Sequence, residues 1–254
     1  MNWDARQRAM LEAMGYRVPA ASAREPGLSG EAAPPAALPP SSPPATAAAL
    51  SPSPARAPAA SPASPSRWDE LDADGLRAAV AGCRACSLCE QRKQPVFGRG
   101  SERPRWLVVV EPPDESDEAG SETAATKLLA NMLVAAGLRP DEAFITPVVK
   151  CRPPRGRAAT TEELAACQGV LARQVALFQP ELVLAMGRQA VQAVTGRNDP
   201  LGRMRGVTLS YGGRPLVATY DPRYLLRAPA DKAGAWEDLC LARSLNRPLA
   251  DDPA

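Results

Sequence analysis

The sequence predicts an α/β fold, a three-layer sandwich on a four-stranded parallel sheet, with a disordered N-terminal tether ahead of it. Three observations carry this. From residue 71 onward, short apolar runs alternate with amphipathic stretches at helical spacing, the pattern of strands covered by helices. The runs are continuous rather than alternating, as expected of parallel strands buried on both faces. Residues 19–66 consist largely of Pro, Ala and Ser and hold about half of the chain's 28 prolines. Such a segment cannot bury enough apolar surface to offset the cost of ordering, so it is read as an extended linker.

In chain order, Asn2 or Asp4 caps a short helix that runs to about Met14 and stops at Gly15. Trp3, Met10, Leu11 and Met14 share one face, and Tyr16 follows the glycine. A helix this short is marginal alone. It either docks on its own domain or folds into a partner's groove, and its place at the far end of a long tether favours the partner. Residues 1–18 are therefore read as a partner-binding segment, 19–66 as linker, 67–247 as the folded domain and 248–254 as a tail. Within the domain, Leu71 to Ala81 reads as a helix and Trp106 to Glu111 as the first strand. Thr126 to Ala136 is helical, Phe144 to Val149 is the second strand, and Thr160-Thr-Glu-Glu163 opens a helix reaching Phe178. Leu182 to Met186 is the third strand, Gly187 turns into a helix through Val194, and Leu216 to Tyr220 is the fourth strand. Asp231 to Leu245 closes the domain as a helix. In parallel sheets function collects in loops at the carboxyl ends of the strands. Here those are Glu111–Gly120, Lys150–Arg157, the turn at Gly187 and Asp221–Arg227, with Tyr211-Gly-Gly-Arg214 in a turn-rich connection before the last strand.

Composition narrows the chemistry. A net charge of +2 over 254 residues gives no bulk attraction to polyanions, so any such binding must come from local arginine clusters. The chain has no histidine, which excludes every mechanism that needs an imidazole. Six cysteines behind a polar, mixed-charge N-terminus place the protein in a reducing cytoplasm. There, grouped cysteines serve metals more often than disulfides. No apolar run approaches a membrane span.

Cys83-x-x-Cys86, Cys151 and Cys167 supply thiolates from two regions of the chain. Soft thiolates select zinc or an iron–sulfur cluster. A structural zinc usually takes two compact pairs, whereas Cys151 and Cys167 lie sixteen residues apart, which suits a cluster held between a loop and a helix. Unconnected buried thiols remain the alternative, and Cys89 and Cys240 are read as packing residues. Arg152, Arg155 and Arg157 flank Cys151, and Arg223 and Arg227 flank a second loop, with Lys150, Arg203 and Arg205 on the same predicted face. Concentration on carboxyl-end loops favours phosphate contact over simple surface solvation.

These residues bring the chain to a family. It resembles the iron–sulfur, family-four uracil-DNA glycosylases over roughly Leu71 to Leu245. The resemblance rests on Cys83-x-x-Cys86-x-Leu88, Val96-Phe-Gly98-x-Gly100, Val148-Val-Lys-Cys-Arg-Pro-Pro154 and Glu163-x-x-x-Cys167. It continues through Pro180, Leu184-x-x-Gly187, Arg205-Gly206 and Pro222-x-Tyr-Leu-Leu-Arg227, with Lys232 and Trp236. It implies a 4Fe–4S cluster on Cys83, Cys86, Cys151 and Cys167, a four-stranded parallel sheet and a DNA groove. Phosphate and groove contacts then fall to Lys150, Arg152, Arg155, Arg157, Arg205, Arg223, Tyr224, Leu225 and Arg227. Tyr224-Leu-Leu226 lies in the loop that, in the family, pushes an apolar wedge into the duplex; the alternative is that one or both leucines cap the core.

The departures fall on reactive positions. The family's Gly-Glu-Ala-Pro-Gly is Val110-Glu-Pro-Pro-Asp114 here: the glutamate survives, both glycines are gone, and Asp114 adds charge near the expected phosphate. The segment that carries a uracil-stacking ring in the family is Gly120–Thr126 here and holds no aromatic residue. The uracil-reading asparagine is Pro147, and the histidine of the Pro-x-Tyr-Leu loop is Asp221. A flipped base is read by stacking and hydrogen bonds, and its departing anion needs a positive or donating group. The resulting expectation is a non-catalytic or strongly impaired DNA-binding adaptor of replication or repair. Gln7 to Tyr16 also resembles the N-terminal peptide of the DNA polymerase III clamp-loader psi subunit, which makes the clamp loader the expected partner. The alternative is a divergent glycosylase working through Glu111 and Asp221.

Overall fold

Alternation of side chains along each apolar run decides which layer each residue joins. The structure is a computed structural model that describes residues 68–246. The segment bearing Trp3, Met10, Leu11, Met14 and Tyr16, the linker 19–66 and the tail 248–254 lie outside the described residues.

The sheet has six strands, in the order β1-β3-β2-β4-β6-β5. These are β1 (Arg99–Gly100), β2 (Trp106–Val110), β3 (Ala143–Pro147), β4 (Leu182–Met186), β5 (Thr208–Tyr211) and β6 (Arg214–Thr219). The inner four are parallel, as expected, while β1 and β5 add antiparallel to the two outer edges. The sheet is therefore mixed and six-stranded, not four-stranded and parallel. The two additions have different physical origins. β1 is only two residues long, too short for any periodicity to show. β5 joins β6 through Gly212-Gly213, both at positive φ (57° and 75°), the geometry that a two-residue hairpin demands.

Successive residues of β2 point to opposite faces. Leu107 and Val109 enter one core with Val183, Ala185, Leu216 and Ala218, beneath α1 (Ala73–Ala81), α4 (Thr161–Phe178) and α5 (Arg188–Thr195). Trp106 and Val108 enter the other with Leu184, Met186 and Val217, beneath α3 (Ala124–Ala135), α7 (Pro222–Arg227) and α8 (Lys232–Leu245). Each fully buried Val or Leu contributes about 1.5–3 kcal/mol, so two dry faces rather than local propensity hold the sandwich together. Among the described residues no helix is long and apolar enough to cross a membrane.

Two stretches expected as loops are helical. Asp114 caps α2 (Glu115–Ala119) by accepting from Ser116 N and Asp117 N, and Asp117 answers with a bond to the Asp114 backbone. Asp221 caps α7 by accepting from Arg223 N at 2.8 Å. α6 (Leu201–Met204) is a single short turn.

Candidate active site and cysteine framework

The inner strands all end on one side of the molecule, and the expected reactive residues gather there. β2 delivers Glu111, β3 delivers Pro147, β4 delivers Gly187, and β6 delivers Asp221 after Tyr220. Glu111 Oε1 accepts from Gln189 N at 2.8 Å, at the start of α5. Gly187 sits at φ +98°, and a Cβ there would collide with the Glu111 carboxylate, so glycine is required to admit this side chain. Burial pushes the Glu111 carboxyl up to about 7, with the nearby charge of Asp221 adding to the shift and the Gln189 N–H and Arg223 opposing it.

Beside this carboxyl lies a pocket of ≈ 320 Å³, lined by Phe97, Leu129, Pro147, Asp114, Asp221 and Arg223 among others. Glu111 is not among the lining residues, although Val110 is. Phe97 supplies a ring to the lining, from a different part of the chain than the Gly120–Thr126 segment; it meets Phe144 edge-on at 6.1 Å. Sequence reasoning passed over it even though it lies inside the Val96-Phe-Gly98 motif. Pro147 does line the wall and offers no side-chain donor.

Arg223 changes the electrostatics expected here. Its Nε lies 3.3 Å from Asp221 Oδ1, its Nη1 3.3 Å from Asp114 Oδ2, and its Nη2 donates to Pro112 O at 3.2 Å. Asp114 is therefore a helix cap paired with a cation, rather than a bare charge facing phosphate. Its hydrogen bonds from Ser116 and Asp117, with Arg223 nearby, outweigh the effect of burial and hold its carboxyl below the usual carboxylate range. The position two residues after Asp221 brings to the pocket wall the positive charge that Asp221 cannot supply.

The expected DNA-contact residues divide into two groups. Lys150 is buried, its Nζ donating to Thr146 Oγ1 (2.5 Å), Pro147 O (2.8 Å) and Gln174 Oε1 (3.0 Å). It braces the β3 end instead of facing solvent, and burial lowers it to about 7. Arg205 pairs with buried Asp238 at 2.6 Å and lies over the Tyr220 ring at 4.1 Å, so it too is structural. Leu225 is 0 % exposed and belongs to the core, because its helix turns that side toward α3 and α8. The surface group comprises Arg155, Arg157, Tyr224 and Arg227, with Leu226 beside them at 43 % exposure. Tyr224 stacks on Tyr220 at 5.1 Å and donates to Asp231 at 2.6 Å. Arg152 is half-buried against Glu118 at 2.8 Å, tying the Cys151 loop to α2. Arg157 holds Glu163 through two nitrogens (2.6 and 2.8 Å) and lowers that carboxyl to about 2.

The four expected thiols converge on one region. Cys83 and Cys86 lie half-buried before the 3₁₀ turn Ser87–Glu90, while Cys151 and Cys167 are buried. Cys151 lies within electrostatic range of Cys86 and Cys83, and Cys167 within range of Cys151 and Cys86. Burial pushes the Cys167 thiol up to about 11, with Lys150 opposing the rise. Cys89, expected to be a packing residue, lies within range of Cys86 and Arg92, and Cys240 packs at the edge of the second core. Among the described residues no group of three or more Cys, Asp or Glu side chains is placed to hold a single metal ion. An all-sulfur donor set with the Arg92 guanidinium beside it fits a multi-iron cluster, whose negative charge needs such a neighbour.

Residues 97–241 match the family model described as the uracil DNA glycosylase superfamily. A type-4 uracil-DNA glycosylase of Pyrobaculum aerophilum is 35% identical over 184 residues, covering 67% of this chain and 93% of that protein. One of Thermotoga maritima is 36% identical over 153 residues (58% and 80%), and one of Archaeoglobus fulgidus is 32% identical over 167 residues (61% and 84%).

Proposed function

The chain belongs to the uracil DNA glycosylase superfamily, and on that premise we propose that it binds DNA and excises a damaged base, uracil first among them, by hydrolysing the N-glycosidic bond. The observation that carries this reading is Arg223. It brings a guanidinium to the wall of a base-sized pocket at the strand ends, next to a half-buried carboxyl, Glu111, pushed up to about 7. A carboxyl at that value exchanges protons near neutrality and can take one from an attacking water. The Arg223 charge can stabilise the departing base anion, the task for which Asp221 is unsuited. Phe97 gives the flipped base an apolar wall, and exposed Arg155, Arg157, Arg227 and Leu226 are the DNA-facing residues. Cys83, Cys86, Cys151 and Cys167 would hold a 4Fe–4S cluster. Four thiolate ligands would leave such a cluster no open position, so it would supply a rigid cross-link between the start of the domain and the Lys150–Arg157 loop.

The test is release of uracil from single- and double-stranded oligonucleotides. Excision that disappears on Glu111→Ala and falls on Arg223→Ala supports the reading. A wild-type protein without excision would sink it.

A second reading is that of a non-catalytic DNA-binding adaptor of replication or repair, with the clamp loader as its expected partner; two features of the pocket bear on the loss of catalysis alone. Pro147 stands on the pocket wall with no donor, and the Arg223 nitrogens are already shared with Asp114, Asp221 and Pro112. On this reading DNA binds without excision, and a clamp-loader partner is recovered by the full chain. Equal partner recovery after deletion of residues 1–18 would remove the role of that segment.

A further inference from the structure

Arg92 lies in the loop that follows the 3₁₀ turn Ser87–Glu90, and no sequence pattern singles it out. Its planar guanidinium is held at two points. Nη2 donates to the carbonyl of Ala81, the last residue of α1, at 2.8 Å, which fixes the plane of the fork. Nη1 then points at Cys151 Sγ at 3.2 Å. The same charge lies within range of Cys83 and Cys89. A guanidinium stays protonated at any physiological pH and cannot accept a hydrogen bond, so this contact is a permanent donor to sulfur.

A donor aimed at a ligand sulfur withdraws electron density from it, and a fixed positive charge nearby favours whichever cluster state carries one more electron. Both effects raise the reduction potential. The same two-point contact ties Cys151 to the end of α1, so loss of that ligand becomes slower. We propose that Arg92 is a positioning residue for Cys151 that sets the reduction potential of the bound cluster and protects its attachment there; this rests on the four-cysteine cluster reading above.

The experiment is a redox titration of the purified full chain, followed by absorbance near 400 nm, with wild type, Arg92→Gln and Arg92→Lys compared. Bleaching under an iron chelator is timed in parallel. The Gln variant is expected to keep the cluster at a more negative potential and to bleach several-fold faster. The Lys variant, which keeps the charge but loses the two-point fork, is expected to fall between it and wild type. A Gln variant matching wild type in both potential and bleaching rate would overturn the inference while leaving the cluster reading intact. Should the Gln variant lose its cluster during purification, the Lys variant decides on the same two readouts. A wild-type protein with no absorbance near 400 nm would overturn the cluster reading itself, and this inference with it.

Discussion

Replacing Glu111 with glutamine separates the cost of burying this carboxyl from its chemical use. The carboxyl stands at about 7 in the folded protein against an ordinary value of 4.5, chiefly because the strand end and α5 exclude water from it. Below the ordinary value both states are protonated, and ionisation makes no difference to folding. As pH rises from 4.5 to 7 the unfolded chain ionises first, so stability is lost through that window and then levels off. By pH 8 the loss approaches about 3 kcal/mol, since each tenfold difference in proton affinity is worth 1.36 kcal/mol. Glutamine keeps the shape and keeps an oxygen to accept from Gln189 N, but it never ionises. Glu111→Gln should therefore stabilise the protein by up to ~3 kcal/mol at pH 8 and by less than about 1 kcal/mol at pH 5. For a domain of this size that corresponds to a Tm gain of roughly 6–12 °C at pH 8. Scanning calorimetry at the two pH values reads it directly. An equal gain at both pH values, or none at pH 8, would refute the burial argument. In the same variant uracil release should collapse, which would mark a group kept at the expense of stability.

Other consequences can be measured separately. Arg223→Ala should lower uracil excision by about 10²–10³-fold if the guanidinium stabilises the departing anion, and single-turnover kinetics will show it. Gly187→Ala forces a side chain into positive φ and against Glu111, so a urea titration should find a loss of about 2 kcal/mol or more. Asp238→Ala leaves the Arg205 guanidinium, 15% exposed, without its carboxylate, and chemical denaturation should register about 3–5 kcal/mol of destabilisation. Absorbance near 400 nm that survives Cys151→Ser would remove Cys151 from the ligand set.

The parts of the fold that were legible in the sequence are those governed by long-range burial. β2 and β4 are unbroken apolar runs whose two faces must both be covered, and α4 announces itself with the Thr160–Glu163 capping box that the structure contains. What was not legible depends on single contacts. Nothing in the spacing of Lys150 shows that its ammonium turns inward to Thr146 and Gln174, because a lysine beside arginines reads as surface charge. Arg205 looked like a phosphate contact until Asp238, distant in sequence, proved to be its partner. The Asp114-x-x-Asp117 box could have revealed α2, but a helix of 5 residues is too short for an apolar period to show. At the site, the absence of a side-chain donor at Pro147 and of an imidazole at Asp221 could be read directly. The arrival of Arg223 and Phe97 on the pocket wall could not, since it depends on how α7 and β1 close against the strand ends.

The two antiparallel additions to the sheet have a bearing on how the protein behaves in a crowded cell. A parallel sheet left open at β3 and β6 would offer two rows of unpaired amides to any extended chain nearby. β1 closes one side with two residues, one of them Arg99, leaving a template too short to recruit a partner strand. β5 closes the other as half of a tight hairpin whose outward residues are exposed and polar, Thr208 and Ser210. These two margins thus act as guards against strand-to-strand aggregation.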